Sequence, residues 1–115
     1  MALRAALPMT ALATLCGCKI ATAKLTRAQR GAVIYRTNCV SCHGRDPHFD
    51  GPIGPAIAGS PRALLEARVL HRSYPARYLP KRRTHLMQAM PWMASHLDDL
   101  TAYLAATGSQ AGAGR

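Results

Sequence analysis

Apolar residues recur with helical spacing near the C-terminus of the chain. Leu97, Leu100, Thr101 and Leu104 lie at i, i+3, i+4 and i+7, so they form one stripe on a helix that we expect to end near Ala106. No window shows the alternation of apolar and polar residues that is typical of a half-buried strand. The pattern therefore predicts a small all-α fold with about three to four helices.

Two further helices are predicted from the residues at which they begin. Thr26-Arg27-Ala28-Gln29 places Thr at the N-cap and Gln at N3, as in a capping box, and its helix should run to about Thr37. Ser60-Pro61 places Ser at a cap and Pro at the first helical position, which predicts a helix to about His71. Residues 45–59 and 74–91 each contain three prolines, so we expect loops there.

The first 23 residues have the pattern of an export signal. Residues 1–23 contain no acid, an apolar run and the small-x-small ending Ala21-Thr22-Ala23, after which a signal peptidase would cleave. Alternatively, Leu15-Cys16-Gly17-Cys18 resembles a bacterial lipoprotein signal that ends before an acylated Cys18. A retained anchor is a third alternative. Both cleaved forms predict a protein of the bacterial periplasm, held at the membrane if Cys18 carries lipid.

Removal of this signal would leave one domain at residues 24–107 and a flexible small-residue tail at 108–115. The whole chain has 15 Lys and Arg against 5 Asp and Glu, a net charge of +10, yet 49% of its residues are apolar. That apolar fraction excludes a disordered basic tail. A domain this small rarely builds a sufficient core alone, so we expect a bound group to complete it.

The chemistry of the chain lies in Cys39-Val40-Ser41-Cys42-His43. In an exported chain, Cys-x-x-Cys-His is the attachment signature of c-type haem. Two thiols three positions apart on a helical turn can each add to one vinyl group of the haem, and the next residue then directs its imidazole at the iron. We therefore predict one covalent haem c, with thioether bonds from Cys39 and Cys42 and with His43 as the proximal iron ligand.

Non-haem alternatives use the same two cysteines. A thioredoxin-like pair would require a βαβ context, which the pattern does not show. A zinc site would require further ligands, and although His48 is near, no cysteine follows Cys42. Either alternative, or a chance disulfide, predicts a colourless protein.

Over about residues 25–106 the chain resembles the class I (mitochondrial-type) cytochromes c, which are monohaem electron carriers. A helix leads into the haem motif, Gly54-Pro55-Ala56-Ile57-Ala58-Gly59 is similar to the family's Gly-Pro-x-Leu-x-Gly, and a methionine-bearing loop precedes a closing helix. The family's first and last helices cross at a glycine and an aromatic, places that Gly31, Tyr35 and Tyr103 would fill here.

The resemblance also implies how the haem is held. A prolyl carbonyl of the Gly-Pro element accepts a hydrogen bond from the proximal histidine in relatives, and Pro55 is the choice here, with Pro52 left open. Ile57 of the same element is expected to contact the haem.

A methionine is expected as the second axial ligand, because the resemblance implies a His/Met haem of raised reduction potential. Met87, Met90 and Met93 are available, and Met90-Pro91 resembles the family's frequent Met-Pro pair. Spacing favours Met87 over Met90, because the chain must travel from the iron to the closing helix. Met87 is therefore preferred, Met90 is the alternative, and Met93, a histidine or an open position remains.

A basic segment precedes the methionine loop, with six cations within 16 residues and no acid among them: Arg68, Arg72, Arg77, Lys81, Arg82 and Arg83. Small electron carriers meet their partners through weak, electrostatically steered encounters, so these cations predict a docking surface for an acidic redox partner. A solvated loop, contact with anionic lipid and counter-charge for the haem propionates are alternatives.

The leading functional hypothesis is one-electron Fe(III)/Fe(II) cycling in the periplasm, by a shuttle or by the haem subunit of a redox complex. Such a protein is not itself an enzyme. The alternative is a haem protein with an open sixth position that binds a gas or reacts with peroxide. Nucleic-acid binding is not expected, because no recognition motif accompanies the charge.

Overall fold

The computed structural model describes residues 24–110, with the side chain of Gln110 excepted, and this part of the chain contains helices and no strand. The four α-helices are α1 (Arg27–Asn38), α2 (Val40–His43), α3 (Arg62–Leu65) and α4 (Leu97–Gln110). A π-helical segment (Glu66–Leu70) extends α3, and a 3₁₀ segment (Pro91–His96) leads into α4. The all-α prediction is confirmed. The predicted export signal and Cys18 lie outside the described residues.

Helix α1 begins at the predicted capping box. The Thr26 hydroxyl accepts a hydrogen bond from the Gln29 amide at 3.2 Å, and the Gln29 side chain accepts one from the Thr26 amide at 2.8 Å. These reciprocal bonds satisfy two amides that would otherwise lack a partner in the first turn. Local sequence is therefore sufficient to fix where α1 starts.

Helices α1 and α4 cross at Gly31. A Cβ at Gly31 would lie 1.9 Å from the Asp99 carbonyl oxygen and 2.7 Å from the Tyr103 Cβ, so only glycine allows this approach. Tyr35, one turn further along α1, is fully buried and packs against Tyr103 with ring centroids 5.4 Å apart. Arg30 pairs with Asp99 at the edge of the crossing through two hydrogen bonds of 2.8 Å.

Helix α3 begins one residue later than predicted, and the helical path ends close to the predicted His71. Pro61 is the N-cap with an extended backbone (ψ 152°), so the helix begins at Arg62, and the Ser60 hydroxyl donates to the Ile57 carbonyl. The helical path then widens into the π-helical segment and ends at Leu70. Leu65 of α3 and Val69 of the π-helical segment are buried in a core whose other members are Tyr35, Cys39, Met93, Leu97, Leu100 and Leu104.

Helix α4 continues past its expected end near Ala106 to Gln110. The extension is held by the loop before α3, because Gly59 donates to the Leu104 carbonyl at 2.8 Å and packs backbone to backbone against Gly108. The tail predicted for residues 108–115 thus begins inside a helix, and residues 111–115 lie outside the described part. No helix within residues 24–110 is long and apolar enough to cross a membrane.

Candidate functional site

A cavity of about 340 Å³ lies between α2, the α3 segment and the two proline-rich loops. Its wall brings together the predicted attachment motif, the Gly-Pro element and the methionine loop, which are far apart in sequence. The predicted site residues on this wall are Cys39, Cys42, His43, Pro55, Ile57, Met87 and Met90. An apolar cavity with a few convergent polar groups is the usual form of a cofactor site.

Cys39 and Cys42 flank a single helical turn and form no disulfide. The amides of Cys42 and His43 both donate to the Cys39 carbonyl, at 3.2 and 2.9 Å, which fixes the turn. Burial, together with the nearby Cys42, raises the pKa of the Cys39 thiol to about 11. Because a reactive redox cysteine needs a depressed pKa, this environment disfavours the dithiol alternative.

His43 is held in one orientation by the loop that follows α2. Its Nδ1 lies 2.8 Å from the Pro55 carbonyl oxygen, and the residue is only 8% exposed. Because a carbonyl can only accept, Nδ1 carries the proton and Nε2 keeps a lone pair for a metal. The carbonyl beside Nδ1 belongs to Pro55, and Pro52 is exposed.

Two glycines allow the loop to pack against this histidine. A Cβ at Gly54 would lie 2.5 to 3.0 Å from three atoms of the His43 ring, and one at Gly51 would lie 2.3 Å from the Cys42 carbonyl oxygen. The amide of Gly54 also donates to that oxygen at 2.8 Å. The sequence reasoning gave these glycines no role of their own, although Gly54 precedes Pro55 in the Gly-Pro element.

The methionines divide into two kinds. Met87 and Met90 are partly buried and line the cavity, whereas Met93 is fully buried in the core and does not line it. The 3₁₀ segment begins directly after Met90 and rises by about 2.0 Å per residue, so the chain reaches α4 quickly from the cavity wall. Met87 and Met90 therefore both stay candidates for the second axial ligand.

The cations of the basic segment also divide. Arg68, Lys81 and Arg82 line the cavity, whereas Arg72, Arg77 and Arg83 are exposed and do not line it. Segment 74–82 folds over the cavity because Lys81 donates to the Ala56 carbonyl at 2.7 Å and Arg82 pairs with Asp50 at 2.9 Å. The six cations predicted as one docking surface are thus divided between the cavity wall and the outer surface.

Two tyrosines complete the polar part of the wall. Tyr74 and Tyr78 stack with ring centroids 5.5 Å apart, and the Arg68 guanidinium lies 4.4 Å from the centre of the Tyr74 ring. Both tyrosines line the cavity. Phenol and cationic groups on this wall are suited to the two carboxylates of a haem, and the thiols, imidazole and apolar residues are suited to its macrocycle and iron. The residues therefore fit the group that the sequence motif implies.

Every acidic side chain of the chain is paired with a cationic or titratable partner. The chain has five acids, and the described pairs are Asp46–His48, Asp50–Arg82, Glu66–Arg62, Asp98–Arg62 and Asp99–Arg30. Hydrogen bonds from the arginines lower the pKa of Asp98 and Asp99 below the ordinary value. No acidic side chain is left to pair with the remaining cations, so the described part of the chain carries an excess of positive charge.

Comparison with known proteins agrees with this geometry. The family described as cytochrome c oxidase, cbb3-type, subunit III matches residues 26–106, from the N-cap of α1 into the last turns of α4. None of the curated proteins with which the chain was compared matches it. The match spans most of the chain. It includes the attachment motif, the Gly-Pro element at residues 54–59 and the methionines at residues 87–90. The chain therefore belongs to the cbb3-type cytochrome c oxidase subunit III family, as a class I c-type cytochrome domain that binds haem c covalently and transfers electrons.

Proposed function

We propose that this chain is a periplasmic one-electron carrier whose haem c is ligated by His43 and by a methionine of the loop at residues 87–90. The hydrogen bond between His43 Nδ1 and the Pro55 carbonyl is the observation that carries the proposal, because it fixes the tautomer and orientation that an axial ligand needs. When bound, the haem supplies the Fe(III)/Fe(II) couple. The carrier acts as a shuttle or as the haem subunit of a redox complex.

The surrounding residues have separate tasks. Cys39 and Cys42 attach the haem through thioether bonds, and Ile57, Leu65 and Val69 exclude water from the cavity wall. A thioether from Met87 or Met90 would favour ferrous iron and raise the reduction potential of a bound haem. Arg68 and Lys81 line the cavity and would supply counter-charge for the haem carboxylates.

The proposed docking surface consists of cations that have no acidic partner within the described part of the molecule. Arg72, Arg77 and Arg83 are exposed beside the cavity-lining segment, and no acid of the chain is free to pair with them. Ile53 and Leu86 line the cavity and are also 46% and 63% exposed, which gives the rim an apolar contact area. We expect an acidic partner that binds weakly and in a salt-dependent manner.

Haem attachment is tested by measuring the intact mass of the exported protein, which is made in a bacterial host that matures c-type cytochromes. We expect the mass of one haem, retained after denaturation in acid, and its loss in the double variant Cys39→Ser/Cys42→Ser. The same measurement locates the N-terminus, which we expect at Lys24 or at an acylated Cys18. A haem-free protein would refute the proposal.

Axial ligation is tested by spectroscopy of the same protein. A sulfur-to-iron charge-transfer band in the oxidised form, with no binding of carbon monoxide by the reduced form at neutral pH, is expected for His/Met ligation. Carbon monoxide binding without the band would instead indicate an open sixth position and a gas-binding or peroxide-reactive protein.

The docking surface is tested by charge removal. Arg77→Gln/Arg83→Gln should slow electron transfer to a natural acidic partner at low salt and leave the reduction potential unchanged. The matched control Arg36→Gln/Arg45→Gln removes the same charge from exposed positions that do not line the cavity. Equal rates in the two double variants would refute a localised surface.

A further inference from the structure

The cavity wall carries two thioethers, although one iron offers a single position opposite the imidazole. Met87 and Met90 both line the cavity and are both partly buried against the core. Met93 shows how this chain uses a methionine only for packing, since it is fully buried and lies away from the cavity. Core packing like that of Met93 therefore does not explain why both Met87 and Met90 line the cavity.

Met90 is held in place by its backbone. Its amide donates to the Val69 carbonyl at 2.6 Å, and its own carbonyl accepts from the Met93 amide at 2.9 Å. Pro91, the first residue of the 3₁₀ segment, further restricts the chain on its C-terminal side. These constraints fix the Met90 backbone beside the cavity that its side chain lines.

Met87 lies on a segment with no such constraint. Within the described part of the chain, no backbone–backbone hydrogen bond involves residues 79–89. The segment is attached by side chains, through the bond from Arg72 to the His85 carbonyl and the contacts of Lys81 and Arg82 with the loop at 50–56. Met87 can therefore change its position without breaking a backbone hydrogen bond, and an unbranched methionine side chain adapts readily.

We propose that the two methionines form an exchangeable pair of distal ligands, in which Met90 holds the iron and Met87 takes its place when Met90 is removed or displaced. The inference rests on the proposed His/Met ligation. Either residue presents the same thioether sulfur, so exchange preserves the ligand chemistry. The site stays closed to small molecules through the exchange, which a single methionine would not achieve.

The experiment compares leucine variants of the exported, haem-loaded protein, because leucine keeps the apolar volume of methionine. Met87→Leu should retain the sulfur-to-iron band unchanged, and Met90→Leu should retain it with an altered position or intensity. The double variant should lose the band and bind carbon monoxide in the reduced form. Met93→Leu is the control for packing and should leave the band unchanged.

Several outcomes would refute the proposed exchange of the two methionine ligands. Loss of the band in Met90→Leu, with carbon monoxide binding, would make Met90 the sole ligand, and the same loss in Met87→Leu would make Met87 the sole ligand. A band that survives in the double variant would show that neither residue is the ligand. Absence of the band from the unsubstituted protein would instead refute the proposed His/Met ligation, so the two failures are distinguishable.

Discussion

The contact between α1 and α4 at Gly31 predicts that replacing this glycine by alanine lowers the stability of the protein, which is the opposite of the usual effect in a helix. In an exposed helix interior, replacing glycine by alanine stabilises the helix by about 1 kcal/mol. At Gly31, however, the added Cβ would lie 1.9 Å from the Asp99 carbonyl oxygen and 2.6 Å from its carbon, and both atoms belong to the backbone of α4. A backbone cannot rotate away as a side chain can, so the two helices must separate.

The magnitude follows from these opposing effects. Overpacking a close interface costs about 3 kcal/mol at the upper end of its common range, and the gain in helix propensity of about 1 kcal/mol reduces the net loss to about 2 kcal/mol. For a domain of this size, 1 kcal/mol corresponds to about 4–8 °C, so Gly31→Ala should lower Tm by about 8–16 °C. Thermal unfolding followed by far-ultraviolet circular dichroism, on protein with haem attached, measures the shift.

The control for Gly31→Ala is a substitution on the same helix that avoids the crossing. Val33 is 45% exposed, and Val33→Ala should change Tm by only a few degrees. If Gly31→Ala left Tm unchanged or raised it, helix propensity would outweigh the contact, and the close approach of α1 and α4 would be refuted.

Two further predictions concern the loop after α2. Gly54→Ala should tilt the His43 ring, because the new Cβ would lie within 3.0 Å of three ring atoms. This tilt should shift both the reduction potential and the sulfur-to-iron band. The control Pro52→Ala, at an exposed position, should change neither. The hydrogen bonds of His48 to Asp46 and to the Thr107 carbonyl of α4 raise the pKa of His48 above its ordinary value of 6.5. The stability from these bonds is therefore complete below about pH 6.5, and it is lost as the pH rises through the pKa of His48 in the folded protein. Unfolding experiments between about pH 6 and pH 8 should therefore show a fall in stability that His48→Gln flattens; parallel profiles for the two proteins would contradict this role.

The features that sequence predicts well are those that depend on neighbours in the chain. The capping box at Thr26 and Gln29 closes within one helical turn, and the stripe of leucines on α4 requires only helical periodicity. The attachment motif is equally local, because its spacing is set by one turn. The resemblance to class I cytochromes c adds the crossing at Gly31, which no local pattern indicates.

The features that sequence does not predict depend on which segments face each other. Helix α4 extends to Gln110 because Gly108 meets Gly59 from a distant loop, and nothing within the tail itself indicates this contact. Arg82 and Arg83 are adjacent in sequence, yet the pair with Asp50 turns Arg82 toward the cavity and leaves Arg83 at the surface. A count of charges along the chain cannot separate such neighbours.

The pairing of all five acids affects the electrostatic field of the molecule more than its stability. Arg30–Asp99 and Arg62–Asp98 connect helices, but their arginine side chains are 40% and 49% exposed, and exposed pairs contribute about 0–1 kcal/mol each. Their larger effect is to keep carboxylates beside cations within the molecule, with Asp98 and Glu66 sharing Arg62, so the remaining cations of the described part form no ion pair with an acidic side chain. At physiological salt the Debye length is about 8 Å, so steering is confined to the last stage of approach. For the proposed docking at the cavity opening, cations beside it, such as Arg83, should therefore influence the encounter more than equal charges elsewhere on the surface.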